Sequence, residues 1–298
     1  MIDLVIETEA LTKYYGKHLG IEDLTFSVRA GEVFGFLGPN GAGKTTTIRT
    51  LLDLIRPTRG RASIFGLDSH QEGIEIRRRI GYVPGELALY DRMDGADLLE
   101  FLGNLRGGVD PSRIRGLADR LGAELNRKIR TLSHGNKQKL GLIQAFMHDP
   151  GLVVLDEPTQ GLDPLVQNEV HRMIREVRAQ GRTVFLSSHD LSEVEALCDR
   201  VGIIRNGGLI AVEEVASLKA RALRRLEIHF AAPVPAEAFA RLPGVRDVEA
   251  VDSVVRCTVV GSLDALIKAA SAHTVVNLIS EEPSLEEIFL AYYGETET

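Results

Sequence analysis

Apolar and polar positions follow one rhythm over most of the chain and a second one in its last quarter. Leu4–Leu11 and Leu24–Val28 mix alternating with continuous apolar positions and are separated by Gly16 and Gly20, which predicts two strands. Val33–Leu37 is a short apolar run ending in a glycine-rich turn, and Thr45–Leu54 follows with helical spacing. From about Ala96 to Met147 the pattern is helical, broken near Gly107 and Gly122. Leu152–Leu155 reads as a buried strand. Pro164–Ala179 reads as a helix, with Asp163 placed to cap it and Pro164 at its first position. A strand at Thr183–Ser187, a helix at Leu191–Leu197 and a strand at Val201–Arg205 continue the alternation, which predicts an α/β sheet covered by helices.

The composition shifts at the basic stretch Lys219–Arg225. Beyond it the pattern predicts a strand at Leu226–Phe230, a short helix at Ala236–Arg241, and two strands, Val245–Val251 and Val254–Val260, around Asp252-Ser253. A helix at Leu263–Ala270, a strand at Thr274–Ile279 and a helix at Leu285–Tyr292 finish the chain. The order β-α-β-β-α-β is the split βαβ layout of ferredoxin-like domains. The expected division is therefore 1–220 and 221–298.

Composition narrows the classes. Of the 298 residues 44% are hydrophobic and 26% charged, the balance of a globular protein with a core rather than a disordered chain. A formal net charge of -7 argues against a general nucleic-acid binder, so no nucleic acid is expected as a partner. Cys198 and Cys257 stand far apart and in no metal-binding spacing, which suits a reducing cytoplasm. The start, Met1-Ile2-Asp3-Leu4, has no basic region followed by an apolar signal. The longest uncharged apolar stretch, Leu140 to Met147, falls far short of the roughly 20 residues that span a bilayer. Work at a membrane would need a partner that spans it.

Two segments carry phosphate chemistry. Gly38-Pro39-Asn40-Gly41-Ala42-Gly43-Lys44-Thr45 fits G-x-x-x-x-G-K-[ST] between a predicted strand and a predicted helix. Glycines at Gly38, Gly41 and Gly43, together with Asn40, let backbone N–H groups converge on phosphate oxygens, and the helix aims its positive end at the same anion. Lys44 is expected on the β- and γ-phosphates of ATP, Thr45 on Mg²⁺ and Thr46 on a phosphate. Leu152-Val153-Val154-Leu155-Asp156-Glu157 places two carboxylates at the C-terminal end of a buried strand, where open α/β sheets bind ligands. Asp156 suits Mg²⁺, and Glu157 suits polarisation of an attacking water.

Further motifs resemble those of the ABC transporter ATPase family. Leu132-Ser133-His134-Gly135-Asn136-Lys137-Gln138-Lys139 resembles its signature, about 20 residues before Asp156. Asp156-Glu157-Pro158-Thr159 runs into Gly161-Leu162-Asp163-Pro164, similar to its D-loop, and Ser187-Ser188-His189-Asp190 resembles its switch-histidine segment. Tyr15, before Gly16, matches the aromatic that stacks on adenine. The resemblance covers residues 4 to 220. It implies a P-loop NTPase core with an antiparallel β subdomain and a helical subdomain at about 87–149, followed by the small α+β domain. It also implies two ATP clamped in a homodimer, with Ser133 and Gly135 of one copy meeting the γ-phosphate held by the other. His189 would contact the γ-phosphate and Asp163 would communicate across the interface. The partner it implies is an integral-membrane permease, holding the chain peripherally on the inner face of the cell membrane. The last part of the chain looks like ATPases of two-component drug and antibiotic exporters, and Glu281, Glu282, Glu286 and Glu287 there form an acidic cluster.

Two departures stand out. His134 replaces the first glycine of the signature pair and Asn136 its glutamine; His134 either tightens packing near the γ-phosphate, donates a hydrogen bond there if protonated, or points away. Ile80-Gly81-Tyr82-Val83-Pro84-Gly85-Glu86 resembles the Q-loop, with Gly85 where glutamine is expected, and Glu86 is the candidate to reach Mg²⁺ instead. Leu89-Tyr90-Asp91-Arg92-Met93 is the candidate dock for a permease helix. A rival reading, a soluble ABC ATPase acting on DNA or ribosomes, calls for a second cassette, a long coiled coil or a zinc insertion, and the sequence carries none.

Overall fold

An antiparallel hairpin opens the chain, β1 (Leu4–Tyr15) and β2 (His18–Arg29), in the computed structural model, which describes residues 3–221 and 223–281. Gly16 makes the turn at φ 60°, a backbone region that glycine enters without a side-chain clash. β3 (Val33–Leu37) has every residue buried and leads through the glycine loop into α1 (Lys44–Leu51). β4 (Arg59–Ile64) pairs antiparallel with β1, and β5 (Leu67–Asp68) with β4, giving a sheet in the order β2-β1-β4-β5. α2 (Gly73–Arg79) and β6 (Ile80–Val83) lead to α3 (Gly95–Leu105), α4 (Pro111–Leu121) and α5 (His134–Phe146).

β7 (Leu152–Asp156), α6 (Pro164–Ala179), β8 (Thr183–Ser188), α7 (Leu191–Leu197), β9 (Arg200–Arg205) and β10 (Gly208–Glu214) complete a six-stranded sheet in the order β10-β9-β3-β8-β7-β6. The pairs from β9 across to β6 are all parallel. Strands buried on both faces read as unbroken apolar runs, which is why β3, β7 and β8 were legible. Phe26 of β2 joins the two sheets: its ring lies 5.7, 5.5 and 6.3 Å from those of Phe34, Phe36 and Phe185 on the parallel sheet. Stacked pairs of this kind contribute about 0.5–1.5 kcal/mol each beyond their buried area.

The chain divides into two compact units between Glu213 and Glu214. The second contains α8 (Val215–Arg221), β11 (Leu223–Phe230), α9 (Glu237–Ala240), β12 (Val245–Val251), β13 (Val254–Val260), α10 (Asp264–Ala270) and β14 (Val275–Glu281). Its sheet runs β12-β13-β11-β14 with every pairing antiparallel. It has its own core, in which Ile228, Val255, Cys257 and Val259 of the sheet meet Phe239 and Leu266 of the helices.

The expected α6, α7, β12 and β13 begin and end where the sequence places them. The helix expected to Leu54 ends at Leu51, because Asp53 turns into the left-handed region at φ 52°. β4, β5, α2, β6, β10 and α8 were not anticipated. The expected Leu285–Tyr292 helix and Glu282, Glu286 and Glu287 of the acidic cluster lie outside the described residues.

His148, in the turn between α5 and β7, has Nε2 3.1 Å from the Ile80 carbonyl and a buried Nδ1 with no partner. Burial first, and the nearby Arg106 guanidinium second, pushes its pKa from 6.5 down to about 4. The unfolded chain therefore takes up this proton at a higher pH than the folded one, and stability intact above pH 6.5 falls as pH drops toward about 4. His148→Gln keeps a donor for Ile80 and cannot titrate. Thermal melts of this variant between those two pH values should show a shallower loss of Tm than the wild type.

Candidate functional site

The candidate residues sit in one row because register aligns the carboxyl ends of the parallel strands. Leu37 of β3 pairs with Ser188 of β8, Asp156 of β7 with Ser187, and Leu155 with Val83 of β6. The loops that leave these ends carry the phosphate motif, the two carboxylates, His189 and the Gly85 segment.

Glycine is required twice in the phosphate loop. A Cβ on Gly38 would stand 2.3 Å from the Ile204 carbonyl oxygen. Gly43 has φ 111°, caps α1, and would bring a Cβ within 2.8 Å of the Gly20 oxygen. Asn40 and Gly41 are exposed at the loop tip. Lys44 is only 5% exposed; its Nζ donates to the carbonyls of Gly38 at 2.7 Å and Pro39 at 3.2 Å and lies 3.3 Å from Glu157 Oε1.

Asp156 is fully buried. Thr45 Oγ1 donates to its Oδ2 at 2.8 Å and Ser187 Oγ to its Oδ1 at 2.5 Å. Hydroxyl and carboxylate oxygens are the hard donors Mg²⁺ prefers, so this pair fits the ion. Among the described residues no cluster of three His, Cys, Asp or Glu side chains forms that would hold a metal.

Glu157 takes φ 50°, a left-handed conformation costly for a side chain with a Cβ. Its N–H donates to the Ser187 carbonyl and to Ser187 Oγ, each at 3.2 Å, which secures the turn. One carboxylate oxygen faces Lys44; the other lies 3.3 Å from His189 Nδ1, whose ring is half exposed. Lys44, Thr45, Asp156, Glu157 and His189 are thus brought together.

Tyr15 sits at the end of β1, 46% exposed, with the Lys13 ammonium 5.4 Å from its ring centre. Its Cε2 and the Thr46 methyl group both press on Gly20, where a Cβ would stand 3.0 and 3.1 Å from them. The Gly20 oxygen in turn backs Gly43, so the aromatic ring and the phosphate loop share one support.

The signature segment begins α5. Ser133 caps it, accepting from the Asn136 N–H at 3.3 Å. The His134 ring lies against Gly161, where a Cβ would meet His134 Cδ2 at 2.6 Å. Gly135 is pressed on the Gly161 oxygen, and the buried Gln138 donates to the Pro158 carbonyl at 3.0 Å. Asp163 Oδ1 accepts from the N–H groups of Leu165 and Val166 at 3.1 Å each, the N-cap expected of it. Glu86 is exposed and is not gathered with Asp156 and Glu157 into a cluster. Gly85 does lie beside the site, and a Cβ there would be 3.3 Å from Asp156 Oδ2. Sequence reasoning gave Ser187 and Gln138 no role. For Ser187 the signal was a pair of polar residues following the apolar run Val184-Phe185-Leu186 at the end of β8.

A family model described as ABC transporter matches residues 21–160. The chain is 33% identical to the linearmycin resistance ATP-binding protein LnrL of Bacillus subtilis (strain 168), over 98% of this chain and 99% of that protein. It is 40% identical to the bacitracin transport ATP-binding protein BcrA of Bacillus licheniformis, over 75% of this chain and 74% of that one. Among solved structures, the ATP binding subunit of an ABC transporter superposes with a TM-score of 0.66 at 31% identity, covering 72% of this chain and 92% of that one. The dimeric, post-hydrolysis cassette MJ0796 bound to ADP and Pi shares the fold, with a TM-score of 0.63 at 22% identity over 70% of this chain and 98% of that one.

Gly43→Ala should lose about 1–3 kcal/mol of stability from backbone strain alone, with more from the Gly20 contact, and should weaken nucleotide binding. Urea unfolding and titration with a fluorescent ATP analogue measure the two effects.

Proposed function

The chain belongs to the ABC transporter family as an ATP-binding subunit, and we propose that it hydrolyses MgATP to drive a separate membrane permease that exports drugs, antibiotics or other amphiphiles. The observation that carries the reading is a carboxylate, Glu157, held between an ammonium and an imidazole at 3.3 Å each, beside a fully buried Asp156 bonded to the phosphate-loop Thr45. The linearmycin-resistance and bacitracin-transport names of the relatives support the exporter assignment.

In this reading Glu157 orients water for in-line attack on the γ-phosphate. Lys44 and His189 offset the charge that develops on the transferred phosphoryl group, and backbone N–H groups of the glycine loop hold the β-phosphate. Thr45 and Asp156 would hold Mg²⁺, which when bound would supply Lewis-acid stabilisation of the phosphate oxygens. Tyr15 stacks on adenine. Two copies close around two ATP, each offering Ser133 and Gly135 to the other's γ-phosphate, with Asp163 at the interface. Glu86, exposed in the loop after Gly85, is the further candidate ligand for the ion.

Among the described residues no helix is long and apolar enough to cross a membrane. In this reading contact with the bilayer runs through the permease. A groove of about 300 Å³ supports the dock expected at Leu89–Met93. It is lined by Leu54, Leu89, Tyr90, Leu102 and Arg106, and Tyr90 stacks edge-on to Phe101 with ring centres 6.0 Å apart. The chain would then sit on the cytoplasmic side. The antiparallel strand order of the second unit supports its reading as a split βαβ domain, and no catalytic cluster is assigned to it.

Glu157→Gln should bind ATP with near-native affinity, accumulate a dimer with MgATP on size exclusion, and lose turnover by a factor of about 100 or more. Full hydrolysis by this variant would remove the role assigned to Glu157. Glu86→Ala tests the metal assignment separately: a weaker response of ATPase rate to Mg²⁺ is expected, and an unchanged Mg²⁺ titration would discard Glu86 as a ligand.

A further inference from the structure

Glu193 is a buried carboxylate that the chemistry above does not use. Burying such a charge is unfavourable unless partners satisfy it, so its partners show where it is needed. Its Oε1 accepts from Thr159 Oγ1 at 2.9 Å and lies 3.3 Å from His171 Nε2. The three residues come from three segments. Thr159 stands two residues past Glu157 in the loop between β7 and α6, His171 is on α6, and Glu193 is on α7, four residues past His189. Asp190 fixes the start of α7, its Oδ1 accepting from the N–H groups of Ser192 at 2.8 Å and Glu193 at 3.4 Å.

The same two segments therefore touch twice. Glu157 faces His189 at the site, and Thr159 is bonded to Glu193 behind it. Glu157 holds a left-handed backbone that its surroundings must impose, and the Thr159–Glu193 bond supplies a restraint two residues away. We propose that Glu193 is a positioning residue for ATP hydrolysis, which through the Thr159 hydroxyl fixes the Glu157 segment against the His189 segment. The inference rests on the roles proposed above for Glu157 and His189.

The test is steady-state ATPase kinetics on the full chain together with the affinity for a fluorescent ATP analogue. Glu193→Ala should lower kcat about 10- to 100-fold, the scale of an ångström-level misplacement, while KM and nucleotide affinity stay within about 2-fold. Thr159→Val should lower kcat similarly. The two changes together should be no worse than the stronger one alone, because they remove one shared bond. Glu193→Gln, whose amide oxygen still accepts from Thr159, should restore kcat to within about 3-fold of wild type. Unchanged kcat in Glu193→Ala, or losses that multiply in the double variant, overturns the proposal. If Glu193→Ala does not fold, Thr159→Val decides alone: unchanged kcat there overturns it. Glu157→Gln run alongside separates the two levels. Its normal turnover would overturn the reading of the site, whereas its inactivity beside an active Glu193→Ala would overturn only the role of Glu193.

Discussion

One buried charge organises the site. Asp156 has no exposed surface, and its carboxylate is stable there because hydroxyls from Thr45 and Ser187 donate to its two oxygens. Bonds to an ionised acceptor in a dry interior are among the stronger ones a protein makes. Satisfying this carboxylate therefore fixes three segments at once: the first turn of α1, the end of β7 and the end of β8. The row of strand ends is a consequence of sheet register, and this charge holds the loops above it in place.

The same constraint bears on Gly85. A side chain there would begin 3.3 Å from Asp156 Oδ2, closer than most carbon atoms come to a carboxylate oxygen. Asp156 cannot move aside without lengthening its bond to Thr45 or Ser187. Glycine at this position leaves the buried pair undisturbed, so the departure from the family pattern agrees with the packing even though it removes a polar side chain from the loop.

What the sequence disclosed follows from how local each cause is. β3 and β7 are buried on both faces and so appear as apolar runs. α6 and α7 carry Asp163 and Asp190 as caps within the sequence itself. The phosphate loop and Asp156-Glu157 were legible because their chemistry demands fixed residue types at short spacing. β4 was hidden because Arg59, Gly60 and Arg61 are all exposed and it forms by pairing with β1, some 50 residues earlier. α2 buries only Gly73 and Ile76, too little for a helical stripe. The Ser187–Asp156 bond spans 31 residues, and no local spacing announces it.

The loop from Pro158 to Asp163 shows how an odd residue can fit a strict site. It is held from α5 by Gln138 on the Pro158 carbonyl and by Gly135 against the Gly161 oxygen. From α6 it is held by Gln167 on the Leu162 carbonyl at 3.1 Å and by the Asp163 cap. His134 adds a ring on Gly161, which turns at φ 74° and has no Cβ to obstruct it. A histidine at this signature position is accommodated because a glycine faces it across the loop. The ring thereby adds a contact between α5 and the loop that follows Glu157, beside the one Gln138 makes on the Pro158 carbonyl.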